Sequence, residues 1–460
     1  MMITKRPSLS VAAAVLAFCR PPSSVAAGPV RGDASGRGSD DPFQGAMEKD
    51  AESFVFNSYT MTMSASKIED PGFCDDSSEG VAGYMGVKGS KYDDSEDEKK
   101  LFFWMYKKRT ASQNSADTDL DEEDTPLIVW LTGGPGCSSS LALLFENGPC
   151  AVDESGESTS VNPHSWTESA NVLWLDQPAN VGYSYGQDND ANESMISEDV
   201  YYFLQAFFRS EEGSGFVNSP LFIVGESYGG HYVPAIAHRI WRGNKHVADD
   251  AIQLNLQGLA VGNGWTDPEI QYGQYREFML ENGIIGEEEY DDLEEAQERC
   301  ADHVHSCNSG DSESDFACQA ARATCDALYS PFFATGLNTY DIRVPCGPNP
   351  LCYDFSHIET FMNSEDTKRK LNVLEHDPVW QTTFICNYLG NRAWTLQLEW
   401  KHDDDFAAAE EKDWNDGGGL VRSSNGFTFL QVYDAGHMVP TDQPAKALAM
   451  ITQFIRGETF

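Results

Sequence analysis

One serine in the sequence stands in a pattern that is typical of enzyme nucleophiles. Ser227 is the middle residue of Gly225-Glu-Ser-Tyr-Gly229, which directly follows the apolar run at residues 221–224 and directly precedes a helical segment. Between a strand and a helix, the two glycines allow a tight, strained turn that lifts the serine hydroxyl above the sheet edge. The motif alone is common by chance, but this context favours a nucleophilic Ser227 over a serine with a purely structural role.

A serine nucleophile needs a general base, and His437 is the best candidate. It lies in Asp434-Ala-Gly-His-Met-Val-Pro440, just past the last predicted strand, where a loop can carry an imidazole back over the sheet. The alternative is an ordinary surface histidine. His231 is too close to Ser227 in sequence to fold back onto it. The histidines that lack a strand-end context are His357, His376 and His402.

These two side chains require a sheet whose strands end at a common edge, and the sequence predicts one. Short, nearly continuous apolar runs that end in turn residues are typical of parallel strands buried on both faces. Helical segments at 200–208 and 233–241 separate some of them, so we expect an α/β fold with a mostly parallel central sheet and helices on both faces. Residues 101–106 should pair antiparallel with the segment around 83–86. The apolar runs are 127–131, 172–175, 221–224, 254–261 and 427–432.

The charge of the chain is strongly negative, with 73 acidic and 31 basic residues and a formal net charge of -42. Such a chain repels phosphate backbones and anionic membranes, so we expect no nucleic-acid binding. It repels itself least at low pH, which suits an acidic compartment. The hydrophobic fraction of 40% is ordinary for a globular protein, so most of the chain should fold.

The N-terminus has the order of a secretory signal peptide rather than of a frayed helix. Lys5 and Arg6 precede an apolar run at 11–18, and Ser24-Val-Ala26 offers a small-residue cleavage site. We therefore expect a signal peptide at 1–27, a flexible or processed leader at 28–52 and one α/β domain at 53–460. An acidic surface loop at about 109–125 and an inserted lid at about 270–360 should interrupt that domain. No later apolar run reaches the roughly 18 to 20 residues that span a bilayer, so we expect no membrane span.

Eleven cysteines in an exported chain favour disulfides over metal sites. Cys19 leaves with the signal peptide. Four others, spaced seven residues apart at each end, suit two nested bridges across a helical hairpin. They are Cys300, Cys307, Cys318 and Cys325, and a further pair, Cys346 and Cys352, suits a small loop. Zinc is the alternative, because His303 and His305 fall inside the cluster, but no close C-x-x-C pair accompanies them.

Six motifs in their order along the chain resemble those of the serine carboxypeptidases, in particular the carboxypeptidase Y type. The resemblance runs from about residue 53 to the C-terminus and implies an α/β-hydrolase fold with an inserted, disulfide-containing helical lid. The motifs are Trp130-Leu-Thr-Gly-Gly-Pro-Gly-Cys-Ser-Ser139, Phe145-Glu-Asn-Gly-Pro149, Asp176-Gln-Pro-Ala-Asn-Val-Gly-Tyr-Ser184, Gly225-Glu-Ser-Tyr-Gly-Gly230, Gly262-Asn-Gly-Trp-Thr-Asp267 and Gly436-His-Met-Val-Pro440.

The resemblance also implies roles for individual residues. The backbone amides of Gly134 and Tyr228 resemble the oxyanion hole, and Met438 resembles a wall of the pocket for the departing residue. A further group resembles the site for the terminal carboxylate of the substrate, although the carboxypeptidase Y type has asparagine at the position of Thr132. The residues of that group are Trp130, Thr132, Gly133, Glu146 and Glu226.

The two acids of this group suit exopeptidase chemistry. Two carboxyl groups held close together cannot both ionise cheaply, so one keeps its proton and can donate to an incoming carboxylate. Peptide binding should then weaken as the pH rises and the shared proton leaves. An acidic operating pH follows.

The sequence departs from the family pattern where the third member of the catalytic triad is expected. Thr383 stands at the position of the aspartate, and no strand-like apolar run occurs between residues 355 and 383. About forty residues of the expected pattern, including one central strand, have no counterpart. In the family, the cysteine at the position of Cys137 bonds to a cysteine of that block, so Cys137 is left without its expected partner. Cys386 resembles the free thiol of the family. Cys74 and Cys150 are predicted to pair. The alternative is that another carboxylate replaces this aspartate, although none of the candidates has the expected strand-end place between nucleophile and base. The candidates are Asp377, Asp434, Asp403, Asp404 and Asp405.

The function implied is release of C-terminal amino acids from peptides and proteins through an acyl-enzyme on Ser227, without metal or cofactor. If the missing block is truly absent, a catalytically impaired, binding or chaperone-like protein is the alternative, and an acyltransferase on the same scaffold is another. The signal peptide predicts the secretory pathway, with a vacuole-like or lysosome-like compartment or the extracellular space as destination. Asn192-Glu-Ser194 is a glycosylation sequon. Side-chain preference and oligomeric state stay open.

Overall fold

The computed structural model describes residues 52–56, 59–88, 92, 98–110, 125–186, 190, 192–246, 250–308, 314–349, 352–373 and 388–460. The expected signal peptide and nearly all of the expected leader and acidic loop lie outside these residues. So do four residues that the sequence singles out, namely His376, Asp377, Thr383 and Cys386.

The described strands divide into one large and two small sheets. In chain order they are β1 (Glu52–Phe56), β2 (Tyr59–Lys67), β3 (Gly80–Lys88), β4 (Lys99–Tyr106), β5 (Leu127–Leu131), β6 (Cys150–Val152), β7 (Thr159–Val161), β8 (Asn171–Leu175), β9 (Leu221–Glu226), β10 (Leu256–Gly262), β11 (Lys412–Trp414), β12 (Gly419–Ser424) and β13 (Phe427–Val432). The large sheet has the order β1-β2-β3-β4-β8-β5-β9-β10. It is antiparallel from β1 to β8 and parallel from β8 to β10.

Helices cover both faces of this sheet. In chain order they are α1 (Ser139–Phe145), α2 (Glu193–Phe207), α3 (Gly229–Lys245), α4 (Pro268–Tyr272), α5 (Tyr275–Glu281), α6 (Glu287–Asp292), α7 (Glu294–Asn308), α8 (Ser314–Ala327), α9 (Ser330–Ala334), α10 (Ser356–Asn363), α11 (Glu365–Lys370), α12 (Tyr388–Gln397), α13 (Asp403–Ala408), α14 (Val439–Asp442) and α15 (Pro444–Ile455). Short 3₁₀ turns lie at Pro71–Phe73, Trp166–Glu168 and Ser214–Phe216. The α/β-hydrolase class predicted from the sequence is confirmed, but the described sheet is mixed, with an antiparallel half, rather than mostly parallel.

Burial on both faces explains the continuous apolar runs in the strands. Phe203 of α2 and Ile236 of α3 pack on one face, whereas Leu143 of α1, Ile358 of α10 and Ile451 of α15 pack on the other. Every residue of β5, β8 and β9 is buried as a result. Strand β2 lies nearer the antiparallel edge, and its buried residues alternate with partly exposed ones, as a one-sided strand requires.

The sequence analysis was wrong about the last strand of the central sheet. Residues 427–432 do form a strand, β13, but it pairs antiparallel with β12 in a separate three-stranded sheet. No described strand pairs with the outer edge of β10, whose Leu259 is 44% exposed. A cavity of about 1390 Å³ lies between the two sheets, with Phe222, Ala260 and Phe429 in its wall. Because no described strand pairs with the outer edge of β10, no described hydrogen-bonded strand connects β13 to the large sheet.

The nested disulfides of the sequence prediction are confirmed. Cys300–Cys325 and Cys307–Cys318 join α7 to α8, Cys346–Cys352 closes a small loop, and Cys74–Cys150 also forms. The zinc alternative therefore loses its thiolate ligands, and His303 Nδ1 instead lies 2.9 Å from Thr324 Oγ1. Helices α4 to α9 pack around small apolar clusters of their own, with Tyr272, Tyr329 and Tyr340 in one of them. Among the described residues, no helix is long and apolar enough to cross a membrane.

A buried ion cluster fastens β4 to the segment before and within α2. Lys99 Nζ lies 2.6 Å from an Asp190 oxygen and 2.9 Å from an Asp199 oxygen, and all three side chains are less than 5% exposed. The negative partners raise the pKa of Lys99 despite its burial, which by itself lowers the pKa. The cluster therefore stabilises the fold only while all its charges are present.

Replacing Lys99 with methionine should leave two buried carboxylates without their cation. We expect Lys99→Met to lower the free energy of unfolding by about 3 to 5 kcal/mol, measured by urea unfolding at pH 7. The matched control is Lys100→Met, because Lys100 pairs with the partly exposed Glu98 and should cost no more than about 1 kcal/mol. Equal losses in the two variants would show that the cluster is not an essential part of the core.

Candidate active site

The turn after β9 holds Ser227 in a strained backbone conformation. Ser227 has a φ of 62°, which is rare for a residue with a side chain. Its N–H donates to Gly262 O at 3.0 Å, and its carbonyl accepts bonds from Gly230 N at 2.9 Å and Trp265 N at 2.7 Å. These bonds fix the turn to the end of β10 and to the start of α3. The strand–turn–helix geometry that the sequence predicts for the serine is confirmed.

The glycine-rich turn after β5 packs directly on the serine turn. A Cβ atom on Gly133 would lie 2.3 Å from Tyr228 N and 2.8 Å from Ser227 Cβ, so only glycine fits there. Neither Gly134 N–H nor Tyr228 N–H donates to a protein acceptor within the described part of the chain. Two unpaired amides beside the serine can receive a developing oxyanion, which is the role that the sequence predicts for them.

The loop after β13 brings His437 to the same place. His437 is fully buried. Its backbone N–H donates to Tyr340 O at 2.9 Å, and its backbone carbonyl accepts a bond from Asn263 Nδ2 at 2.6 Å. Asn263 follows Gly262, the residue that binds Ser227 N–H. His437 Nε2 lies 3.9 Å from Oε1 of Glu226, the residue before Ser227. The structure therefore brings the predicted nucleophile and the predicted base into one cluster.

The two acids predicted to bind a carboxylate are both buried at this cluster. Glu146, at the C-terminal end of α1, is 4% exposed and Glu226, at the end of β9, is 2% exposed. Neither oxygen of Glu146, nor Oε1 of Glu226, has a hydrogen-bond partner of ordinary geometry among the described residues. The two carboxyl groups are nevertheless close enough to interact with each other.

Burial raises the pKa of both acids. Loss of solvation raises the pKa of Glu146 to about 8, although its contact with the Glu226 carboxyl lowers it. Burial, followed by the charge of Glu146, raises the pKa of Glu226 well above its usual range. At least one proton therefore stays on the pair under mildly acidic conditions, and the pair can donate a hydrogen bond.

Thr132 and Trp130, which were also predicted to bind the carboxylate, are buried and hydrogen-bonded to each other. Trp130 Nε1 donates to Thr132 Oγ1 at 2.9 Å, and Thr132 N–H donates to Ser139 Oγ at 3.0 Å. Since its oxygen already accepts the indole N–H, the Thr132 hydroxyl proton is the group available for a ligand. Met438, the predicted pocket wall, is 2% exposed and packs in the same apolar cluster as Tyr272 and Tyr340.

Two supporting groups were not assigned from the sequence. Asn263 lies in a quoted motif, but only the fold shows that its amide holds the His437 carbonyl. Asp176, also in a motif, is fully buried and accepts bonds from Ser138 Oγ at 2.7 Å and Ser139 N at 2.8 Å, which fixes the start of α1. In both cases the sequence did contain a signal, namely a polar residue that lies inside a family motif but has no catalytic role assigned to it.

The alternative carboxylates that the structure describes lie in a loop or at the start of a helix, and none ends a strand of the central sheet. Asp434 is exposed in the loop before His437 and has a φ of 62°. Asp405 lies in the first turn of α13, where Oδ2 is 3.2 Å from His402 Nδ1. Its neighbours Asp403 and Asp404 lie in the same turn. Asp377 and Thr383 lie outside the described residues.

The serine carboxypeptidase family model matches residues 71–383 and 381–457 of this chain. The chain belongs to the serine carboxypeptidase family. The two matched segments meet at residues 381–383, the place where the sequence analysis expects the block with the triad aspartate to be missing.

Curated relatives agree with the family assignment. Serine carboxypeptidase-like 48 of Arabidopsis thaliana is 35% identical over 421 residues, which cover 82% of this chain and 78% of the relative. Carboxypeptidase Y homolog A of Phaeosphaeria nodorum is 35% identical over 414 residues, covering 80% of this chain and 72% of the homolog. A solved structure, the prohormone-processing carboxypeptidase Kex1(delta)p of Saccharomyces cerevisiae, aligns with a TM-score of 0.67 at 23% identity over 85% of this chain and 92% of that chain.

The raised pKa of Glu146 predicts how stability of this serine carboxypeptidase varies with pH. Between its usual value of 4.5 and about 8, the folded protein keeps a proton on Glu146 that the unfolded chain has lost. The folded state thus binds more protons, so the free energy of unfolding should fall as the pH rises through this range. Glu146→Gln should remove the contribution of Glu146 to this fall. We expect the free energy of unfolding of the variant, relative to that of the unmodified chain, to be on the order of 2 to 4 kcal/mol higher at pH 8 than at pH 5.

Denaturant unfolding at several pH values measures this difference. The control is Glu154→Gln, which removes an exposed carboxylate from a turn and should leave the pH dependence unchanged. Parallel stability curves for Glu146→Gln and the unmodified chain would contradict a buried, protonated Glu146.

Proposed function

We propose that this serine carboxypeptidase hydrolyses the last amide bond of peptides with a free C-terminus, with Ser227 as nucleophile and His437 as general base. The observation that carries the proposal is the contact between these groups and the acid pair. Glu226 is the sequence neighbour of Ser227 and lies 3.9 Å from His437, so a carboxylate bound by the acids places the adjoining amide bond beside the serine. A site of this form selects the end of a chain.

The proposed reaction follows acyl-enzyme chemistry. Ser227 Oγ attacks the last amide carbon as its proton passes to the His437 imidazole, and the amides of Gly134 and Tyr228 bind the oxyanion. The imidazolium then protonates the amide nitrogen, and the C-terminal amino acid leaves. Water enters, gives its proton to His437, and attacks the ester on Ser227 to release the shortened peptide. Every step uses residues of the chain itself, and none is routed through a metal or cofactor.

The acid pair sets the working pH in this proposal. Glu146 and Glu226 together hold a proton that is donated to the substrate carboxylate, with the Thr132 hydroxyl as a further donor. Above a pH of about 8, Glu146 ionises and repels the substrate carboxylate, so binding weakens. An acidic compartment of the secretory pathway, such as a vacuole, or an acidic extracellular site is the proposed location.

The wider organisation is proposed along with the function. Residues 1–27 act as a signal peptide, residues 28–52 as a leader, and the remainder as one catalytic domain whose lid extends over about 270–360. The sequon residue Asn192 is exposed, caps α2 with its side-chain oxygen and directs its amide nitrogen to Met195 Sδ at 3.4 Å. This exposed amide is a proposed attachment point for a glycan. No observation favours the chaperone-like or acyltransferase alternatives.

A fluorophosphonate probe tests the nucleophile without requiring turnover. We expect one covalent adduct on Ser227 by mass spectrometry, no adduct in Ser227→Ala, and labelling at least about 10³-fold slower in His437→Ala, because the serine then lacks its base. Ser155→Ala, which changes an exposed turn serine, should label normally. Because Thr383 stands in place of the triad aspartate, turnover should be about 10⁴-fold below that of a complete triad. A folded chain that takes up no label would refute the proposal.

Peptides with free and amidated C-termini test the exopeptidase assignment. We expect kcat/KM for the free form to exceed that for the amidated form by about 10- to 100-fold at pH 5, since a charge-assisted hydrogen bond is worth about 1.5 to 3 kcal/mol. The preference should disappear in Glu226→Ala. Equal rates for the two peptides in the unmodified chain would remove the role given to the acid pair, even if Ser227 is labelled.

A further inference from the structure

Asp442 of α14 holds the loop that carries His437. Its Oδ2 accepts a hydrogen bond from the backbone N–H of Gly436 and another from Arg343 Nη2 at 2.8 Å. Both donors converge on one oxygen and one of them is a guanidinium, so Asp442 acts here as a carboxylate. The guanidinium of Arg343 compensates the negative charge of this carboxylate.

Arg343 fastens the same loop from the lid. Its Nε and Nη2 contact the two oxygens of Asp341 at 2.6 and 2.8 Å, and its Nη1 donates to the carbonyl of Asp434. Asp434 precedes His437 and Asp442 follows it, so one guanidinium spans the histidine loop. The packing is tight, because a Cβ atom on Gly436 would lie 2.6 Å from a backbone oxygen of the lid and 2.9 Å from Asp442 Oδ2.

The same helix reaches the acid pair. Thr441 Oγ1 donates to Phe145 O at 3.0 Å, and Phe145 directly precedes Glu146. Burial is the main cause of the raised pKa of both Glu146 and Glu226, and the negative charge of Asp442 raises both further. Asp442 therefore connects the base, the acid pair and the lid.

We propose that Asp442 is a positioning residue that joins three parts of the site: the His437 loop through Gly436, the lid through Arg343, and the end of α1 that carries Glu146 through the neighbouring Thr441. Arg343 pairs with Asp442 and partly offsets its negative charge. The inference rests on the proposed function, since it concerns the acids that bind the substrate carboxylate. The lid and the acid pair are then coupled through Asp442, which pairs with Arg343 of the lid and whose negative charge acts on both acids.

The titratable and charged groups that act on the acid pair or on Asp442 come from several elements. They are His437 from the loop after β13, which lies 3.9 Å from Glu226, Asp442 from α14, and Asp341, Arg343 and Tyr353 from the lid, which interact with Asp442 and with one another. Of these, Asp442 acts on both acids. Asp341 acts on Arg343 and on Asp442 instead, which makes it a matched comparison for loss of the ion cluster without loss of the field.

The test measures binding of an N-blocked dipeptide with a free C-terminus, as a function of pH, by calorimetry. All proteins carry Ser227→Ala, so the measurement does not depend on turnover. In the parent, affinity should fall once the pH exceeds the value at which the acid pair loses its shared proton. Asp442→Asn removes a negative charge, so the pair should lose its proton more readily and the fall should begin at least roughly half a pH unit lower.

Loss of the compensating cation should have the opposite effect. In Arg343→Gln the charge of Asp442 is unopposed, so the fall in affinity should begin at higher pH, and Arg343→Lys should restore the parent position. Asp341→Asn disturbs the same ion cluster and should leave the position of the fall close to that of the parent. A purely structural clamp would weaken binding equally in Asp442→Asn and Arg343→Gln at all pH values.

The outcomes separate the inference from the proposed function. If the parent binds free and amidated dipeptides equally, the acid pair is not a carboxylate site and both proposals are wrong. If the parent prefers the free form but the pH of the fall is the same in Asp442→Asn and Arg343→Gln, the proposed function stands and the role of Asp442 is refuted. Shifts in opposite directions would establish it.

Discussion

The site depends on two carboxyl groups buried side by side. Glu146 and Glu226 cannot both ionise at low cost, because neither is solvated and each feels the charge of the other. The same constraint that destabilises the folded chain at high pH gives it a proton to donate at low pH. Chemistry and stability are therefore linked through one pair of side chains, as buried ionisable groups at functional sites commonly are.

The remaining groups are arranged around this pair by elements that are distant in sequence. α1 supplies Glu146, the end of β9 supplies Glu226 and the strained serine, and the loop after β13 supplies the base. The lid takes part in the site through Tyr340 and Arg343, which bind that loop. An insertion that looks separable in the sequence is thus a support of the histidine, so we regard it as part of the catalytic unit.

The gap in the sequence has a visible counterpart in the fold. The central sheet ends at β10 among the described residues, and a large cavity separates it from β13. The sequence analysis expected one central strand of the family pattern to be missing, and it placed 427–432 in the central sheet, which is wrong. That error has a simple cause, because periodicity identifies a strand and not its partner, and pairing depends on whether a neighbouring strand is present.

The sequence by itself determined the family, the strand–turn–helix that carries Ser227 and the disulfides of the lid, because each is encoded in local motifs or in spacing along the chain. The tertiary structure alone decided which groups surround them. That Asn263 holds the His437 carbonyl, and that Asp442 accepts from Gly436 and Arg343 together, follows from packing between segments far apart in sequence. The burial of Glu146 and Glu226 also became clear only in the fold, because a sequence motif does not indicate how far a side chain in it is removed from solvent.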